Sequence, residues 1–452
     1  MDQIAKAALV AVLLSLSLVA AAPPQAAQAQ EGPQVEYWAV LVGISDYQVI
    51  GDLQWTAHGA RELRQRLAAA WGEEHVKLLI DEEATKAGIE AALREWLGPR
   101  EDADDVVLFF FSGHGDHSCD TSPIDEEDGR DEYLCPWDAA VNSSARGIRD
   151  DELALWLEPL DSENICVVID TCYAGGIVDD VAGDGRVCLA SSAESEPSWE
   201  DGTLEHSVFC NFLLQALGSH ADVDANGDWE VSAEEAFGYI EPRVVDFRPA
   251  QHPQVRDGYG GELELLMFTT FDTGGQPVSI SVDGTMYSSQ ELPVSFVWQP
   301  GSAHTSEVVS WVHQGEGTRY VFAGWSDGDL DLSRAISCGG QYTALYTHQY
   351  YLAVESEFGD PDGEGWYLAG ATAAVSASSP IGTIVRKVFT GWSGDVTAAT
   401  TTAAVTMDGP KTIRAGWRDD YLNLYLLAGG LAVIAVEAWL LVVAIRRRRA
   451  RL

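Results

Sequence analysis

Residues 37–44 read YWAVLVGI, an apolar run with no in/out alternation, which predicts a strand buried on both faces. A helix is predicted over 56–71, where Leu63, Leu67 and Trp71 recur at helical spacing, followed by a strand over 75–80. Ile89, Leu93 and Leu97 mark a second helix, which Gly98-Pro99 stops. Residues 105–111 (DVVLFFF) give a third strand, 150–157 a helix, 164–169 a fourth strand, 186–190 a fifth, and 207–217 a further helix. Non-alternating strands separated by helices predict an α/β fold with a mostly parallel central sheet covered on both faces. Such sheets carry their chemistry at the carboxyl ends of the strands.

Beyond residue 270 helical spacing is lost and Thr, Ser, Gly, Val, Tyr and Trp dominate. A repeat appears there, with Val321-Phe322-Ala323-Gly324-Trp325-Ser326 returning as Val388-Phe389-Thr390-Gly391-Trp392-Ser393. Two small β-rich modules are predicted, over 271–350 and 351–421. They resemble the Gly-Trp β repeats of prokaryotic surface proteins and read as a stalk, a ligand-binding module or a plain spacer. Both ends of the chain carry membrane signals. Lys6 and an apolar run over 7–22 precede Ala27-Gln28-Ala29, which reads as a signal peptide over 1–29, with Ala20-Ala21-Ala22 as the alternative cleavage site. Residues 422–445 are apolar apart from Asn423 and Glu437, and the 446–452 tail is rich in Arg. About 20 apolar residues cross a bilayer, and the Arg cluster stays cytoplasmic. The expected topology is a single-pass cell-membrane protein with its N-terminal ectodomain outside.

The 452 residues are too many for one core and predict two to four domains. Lys and Arg number 27 against 70 Asp and Glu, a formal charge of −43. So acidic a surface repels nucleic acid, and no nucleic-acid partner is expected. Seven cysteines in an exported chain leave at least one unpaired, and Cys119 with Cys135, bracketing one acidic loop, is the favoured bridge. Asn142-Ser143-Ser144 fits a glycosylation sequon.

The predicted third strand runs into Ser112-Gly113-His114-Gly115, and the fourth into Asp170-Thr171-Cys172-Tyr173-Ala174-Gly175-Gly176. Each places a reactive side chain where an apolar strand meets glycine. Glycines beside His114 let a substrate backbone approach, and those after Cys172 allow a tight turn. A thiol with a pKa near ~8.5 is little ionised at neutral pH, so it needs a base, and the leaving amine needs a proton. His114 supplies both, while the N–H groups of Cys172 and Gly115 are the expected oxyanion donors.

SGHG followed by DTCYAGG, after an opening Ala-Val-Leu-Val-Gly-Ile strand, resembles the caspase-like cysteine peptidases, closest to prokaryotic metacaspase-type members. The resemblance extends to residues 131–138, 150–153 and 251–254 and covers residues 37–268. It implies a caspase–haemoglobinase sandwich, a Cys–His dyad and hydrolysis of polypeptide substrates. It also implies that Asp170 and Ser112 line the substrate pocket, with Arg or Lys as the preferred residue. Where metacaspases carry a second pocket Asp, this chain has His58-Gly59-Ala60-Arg61, which weakens the basic preference.

No cofactor is expected for the chemistry, but calcium has a candidate site. Asp224, Asn226, Asp228, Glu230, Ser232 and Glu235 stand at the ligand spacing of an EF-hand loop over 224–235, with Trp229 where that loop has Gly. The 125–131 stretch is a second acidic candidate. Two other functions fit the same sequence: a catalytically silent surface-binding protein or adhesin, and a membrane-bound transpeptidase.

Overall fold

The computed structural model describes residues 35–119, 129–140 and 144–449. The signal peptide, most of the 125–131 stretch, Asn142-Ser143 of the sequon and the end of the basic tail lie outside the described residues. The first half comprises, in order, β1 (Tyr37–Gly43), α1 (Thr56–Trp71), β2 (Val76–Ile80), α2 (Lys86–Ala91, prolonged by a π turn), β3 (Val106–Ser112), β4 (Gly115–Cys119), β5 (Arg130–Leu134) and β6 (Ile148–Arg149). Then come α3 (Asp150–Leu157), β7 (Asn164–Asp170), α4 (Ala174–Val181), β8 (Arg186–Ala190), β9 (Glu200–Asp201), β10 (His206–Ser207) and α5 (Val208–Ala216). β11 (Glu230–Ser232), α6 (Ala233–Phe247), β12 (Gln254–Asp257) and β13 (Glu264–Asp272) complete it.

The main sheet has the order β2-β1-β3-β7-β8-β12. All neighbours are parallel except β12, which closes the edge antiparallel to β8. Successive residues of β3 explain its unbroken apolar run. Leu108 and Phe110 pack on one side against Leu63 and Leu67 of α1 and Phe209 of α5. Phe109 and Phe111 pack on the other against Leu93, Leu153 and Ile177. Both sides of the strand are core, so no polar position is left to alternate. β3 and β7 end on the same rung, with Ser112 paired to Asp170. That register brings the two segments beyond them side by side.

β4, β5 and β6 form a separate antiparallel sheet leading away from His114. It corrects the expected disulfide: Cys119 pairs with Arg130, and Cys135 lies five residues further along, about 17 Å at the strand rise. A disulfide needs Cα atoms within about 7 Å, and both thiols are free.

β13 joins the two halves of the chain. It pairs with β11, with Val294–Trp298, and in parallel with the start of Gly340–Ser356. Gly340–Ser356 runs straight through position 350 and pairs with both Thr318–Trp325 and Lys411–Asp420. The repeat has a physical meaning here. Gly324 (φ 137°) and Gly391 (φ 146°) each sit at a β-bulge, a conformation that disfavours other residues. The tryptophan after each glycine, Trp325 or Trp392, then fills its own core.

The last helix, α7 (Leu422–Arg449), has 28 residues and is long and apolar enough to cross a membrane. Its length is about 42 Å against a hydrocarbon core of about 30 Å. Arg446 to Arg449 form its final turn.

At the β11–β13 junction burial, reinforced by Glu230, Asp228, Glu262 and Glu235, pushes the Glu264 carboxyl up to about 8. An unfolded Glu titrates near ~4.3, so the folded chain holds the extra proton between those values. Stability therefore falls as pH rises through that window. Glu264→Gln is expected to raise Tm by an amount that grows from about pH 5 to about pH 8 and then levels off. A Tm difference independent of pH in a thermal-melt series would contradict this.

Candidate active site

Two backbone segments meet above the β3–β7 rung. A Cβ on Gly115 would collide with the Cys172 carbonyl oxygen and come within 2.7 Å of Thr171 Oγ1. A Cβ on Gly113 would fall 2.5 Å from Tyr47 Oη. Gly115 is therefore required by the close approach of the His114 and Cys172 segments, and Gly113 by that of the Tyr47 hydroxyl. The two residues line one cleft of about 310 Å³ with Leu53, Asp170, Trp199 and Glu200.

His114 is held from two directions. Its backbone N–H donates to Tyr47 Oη at 2.7 Å, and the two rings lie 5.1 Å apart. Its Nε2 is 2.8 Å from the Gly51 carbonyl oxygen. A carbonyl only accepts, so Nε2 carries the proton and Nδ1 keeps the free lone pair of the neutral ring. On the far side of His114 a second cleft of about 390 Å³ is lined by Val49, Ile50, Tyr133, Cys135 and Ala139.

Cys172 is half-buried, its Sγ 3.8 Å from the Ser198 carbonyl. Burial pushes the thiol up, and the charges of Asp170 and Asp116 act in the same direction. The sulfur is thus a protonated thiol awaiting a base. Its own backbone N–H points back toward it. The turn after it differs from the expectation. Tyr173, not a glycine, takes the left-handed conformation (φ 63°), its N–H donating to the Glu196 carbonyl at 2.8 Å and its ring stacked on His117. Gly175 and Gly176 lie inside α4 instead, where a Cβ would strike the backbone of Glu194 and the side chain of Glu132.

Asp170 is buried among serines. Its Oδ2 accepts from Ser112 Oγ at 2.8 Å and from Ser207 Oγ, and its Oδ1 accepts from Ser198 Oγ at 3.2 Å. Burial pushes the carboxyl up against those hydroxyl bonds, which pull it down. The structure thus brings Ser112 and Asp170 together and adds Ser198 and Ser207. It also adds a second carboxylate. Glu200 on β9 lines the same cleft and accepts the N–H groups of Gln54 (2.9 Å), Trp55 (2.6 Å) and Thr56 (3.1 Å) at the start of α1. Gly59, where the resemblance sought that charge, is packed on Cys210. Nothing in the sequence around Glu200 marked it. The Ser198-Trp199 segment is fastened by the fully buried Gln251, which bonds the Ser191 carbonyl, Ser198 Oγ and the Trp199 N–H.

The 224–235 loop is folded around its acids. Asp224 accepts the N–H groups of Gly227, Asp228 and Trp229, and Glu235 those of Ala225, Asn226 and Ser232. Trp229 supplies the turn itself, at φ 71°, so glycine is not needed there. Asp228 gathers with Glu262 and Glu264, donor oxygens within 4.8 Å of one another, while Glu230 stands close enough to raise Glu264. Asn226 turns its amide to Glu262. Oxygen donors of this kind suit a hard cation.

Residues 36–257 match the caspase domain, Peptidase_C14. Metacaspase-3 of Arabidopsis thaliana is 33% identical over 151 residues, covering 31% of this chain and 40% of that protein. Metacaspase-1 of Plasmodium falciparum (isolate 3D7) is 30% identical over 216 residues, covering 45% of this chain and 32% of that protein. The chain thus spans less than half the length of either relative. The solved structure of caspase-1 from Spodoptera frugiperda aligns over 50% of this chain and 88% of its own, at 13% identity and a TM-score of 0.36. Residues 36–257 thus form a caspase-like domain, similar in sequence to the metacaspases.

Proposed function

We propose that this protein is a cysteine endopeptidase that cleaves polypeptides after Arg or Lys at the outer face of the cell membrane. The observation that carries the reading is the shared β3–β7 rung, from which a thiol, an imidazole and a buried carboxylate reach one cleft.

With Nε2–H anchored on Gly51, His114 Nδ1 takes the thiol proton as Cys172 Sγ attacks the scissile carbonyl carbon. The backbone N–H groups of Cys172 and Gly115 stabilise the oxyanion, each donor contributing about 3 kcal/mol. Collapse of the tetrahedral adduct breaks the C–N bond, and His114 returns the proton to the leaving amine. Water, deprotonated by the same imidazole, then hydrolyses the thioester and frees Cys172. Asp170 and Glu200 give the cleft two carboxylates for a guanidinium or ammonium, and an arriving cation would favour the ionised form of Asp170. A calcium ion, if held by the 224–235 loop, acts on the fold and not on the bond being broken.

α7 fixes this domain to the membrane as a single pass, with the Arg turn on the cytoplasmic side. Retention at the surface favours processing of exported chains, and capture of the thioester by an amine would make the same site a transpeptidase.

A fluorogenic panel carrying Arg, Lys, Asp or Leu before the scissile bond tests the reading. Cys172→Ala and His114→Ala should each lower kcat by roughly 10³-fold or more with the fold retained. Activity undiminished in Cys172→Ala would contradict the dyad, and none in the wild type under any condition would favour the silent binding protein. Asp170→Asn and Glu200→Gln should each lower kcat/KM for Arg peptides by about 10–100-fold, the loss of one charge-assisted bond. A wild-type preference for Asp or Leu would discard the basic pocket.

A further inference from the structure

Beside the acidic pocket, and outside the proposed catalytic machinery, His58, Glu62 and His206 converge. His58 and Glu62 stand one turn apart on the same face of α1. His206 on β10 is only 8% exposed. One donor atom from each lies within 4.8 Å of the other two. We propose that these three residues bind a divalent transition ion of the zinc class.

The argument begins with protons. His206 Nδ1 is 2.8 Å from the Leu204 carbonyl, which can only accept, so Nδ1 carries the ring proton. In the neutral ring Nε2 then keeps its lone pair. That atom is shielded from solvent, has no hydrogen-bond partner, and faces Glu62 Oε2 at 3.4 Å. A lone pair and a carboxylate oxygen repel unless a proton or a metal cation stands between them, and at 3.4 Å the pair makes no hydrogen bond. A backbone carbonyl fixing one imidazole nitrogen while the other faces a cation is also the usual support of a metal-binding histidine.

Geometry points the same way. Tetrahedral zinc with N and O ligands at about 2.0–2.2 Å holds adjacent donor atoms about 3.3 Å apart. His58 Nε2 lies 3.2 Å from Glu62 Oε1 and His206 Nε2 3.4 Å from Glu62 Oε2, so each imidazole faces its own oxygen of the carboxylate at about that spacing. The two imidazole rings are 4.9 Å apart and tilted by 42°, so both can address one point without clashing. Two imidazoles and one carboxylate leave a fourth position for water. A cleft of about 460 Å³, lined by Glu62, Arg66 and His206, gives that water and the ion a way in. The donor set is nitrogen-rich, so it selects against calcium and magnesium.

The ion has a mechanical consequence. His206 precedes Ser207, which donates to Asp170, and His58 follows Thr56, whose N–H is held by Glu200. Metal binding therefore ties α1 to the β9–β10 hairpin, the two elements that flank the acidic cleft.

Cobalt(II) titration of the full-length chain in detergent, in a Cys119→Ser, Cys172→Ala, Cys338→Ser background that removes the accessible thiols as rival ligands, tests the assignment. One equivalent should bind with the visible absorption of a tetrahedral nitrogen–oxygen site and raise Tm. It should be displaced by zinc but not by excess calcium, and should slow amide exchange over 204–208. His58→Ala, at a half-exposed position that the fold tolerates, should weaken binding at least ~100-fold, and Glu62→Gln ~10-fold. His206→Ala, the buried change, should abolish it. Failure to bind cobalt or zinc would overturn the proposal and leave His206 as the protonated partner of Glu62. Binding unchanged in folded His58→Ala, or displaced by calcium, would overturn it equally.

Discussion

Two parallel strands at the centre of the sheet end on one rung, with Ser112 opposite Asp170, and the chemistry of the domain hangs from that pairing. Had β7 slipped by one residue, its side chains would have exchanged the two cores and the packing of both would have been disrupted. Because Phe109 and Phe111 are committed to one core and Phe110 to the other, the register is fixed by packing well below the site. Gly115 converts that register into contact, since a side chain there would push the His114 segment away from Cys172, while Gly113 makes room for the Tyr47 hydroxyl that holds the His114 N–H.

The electrostatics of the cleft follow from the same burial. The thiol is raised rather than lowered, because burial dominates and nearby carboxylates add to it. An enzyme built this way depends on its imidazole at the moment of attack, not on a standing thiolate. Of the two carboxylates that raise the thiol, Asp170 is also one of the pair proposed to receive a cationic substrate, so on that proposal an arriving Arg or Lys would offset part of the charge that disfavours the nucleophile. On the proposed reading, substrate selection and activation of the sulfur would be coupled through Asp170.

Much of this was legible in the sequence where one local rule decided the matter. Strands buried on both faces betray themselves by losing alternation, as in DVVLFFF, and the Gly-Trp repeat reports a bulge followed by a core tryptophan. Other features depend on tertiary placement. Glu200 sits on a two-residue strand, and its role comes only from meeting the first amides of α1. The turn at Tyr173 was hidden by the neighbouring glycines, which serve helix packing. Cys119 and Cys135 looked like the two ends of one loop until the β4–β5 register separated them. Trp229 defied its residue type, because a folded loop around Asp224 can hold a tryptophan in the left-handed region.

On the proposed reading, one sulfur among seven cysteines, that of Cys172, is made reactive by its place above this rung. That reading is tested most directly by mapping, by mass spectrometry, the adduct of an arginine-terminated peptidyl electrophile on the intact protein. The account predicts a single adduct on Cys172 that disappears in His114→Ala. Labelling spread over the exposed Cys119 and Cys338 with Cys172 unmodified would contradict it.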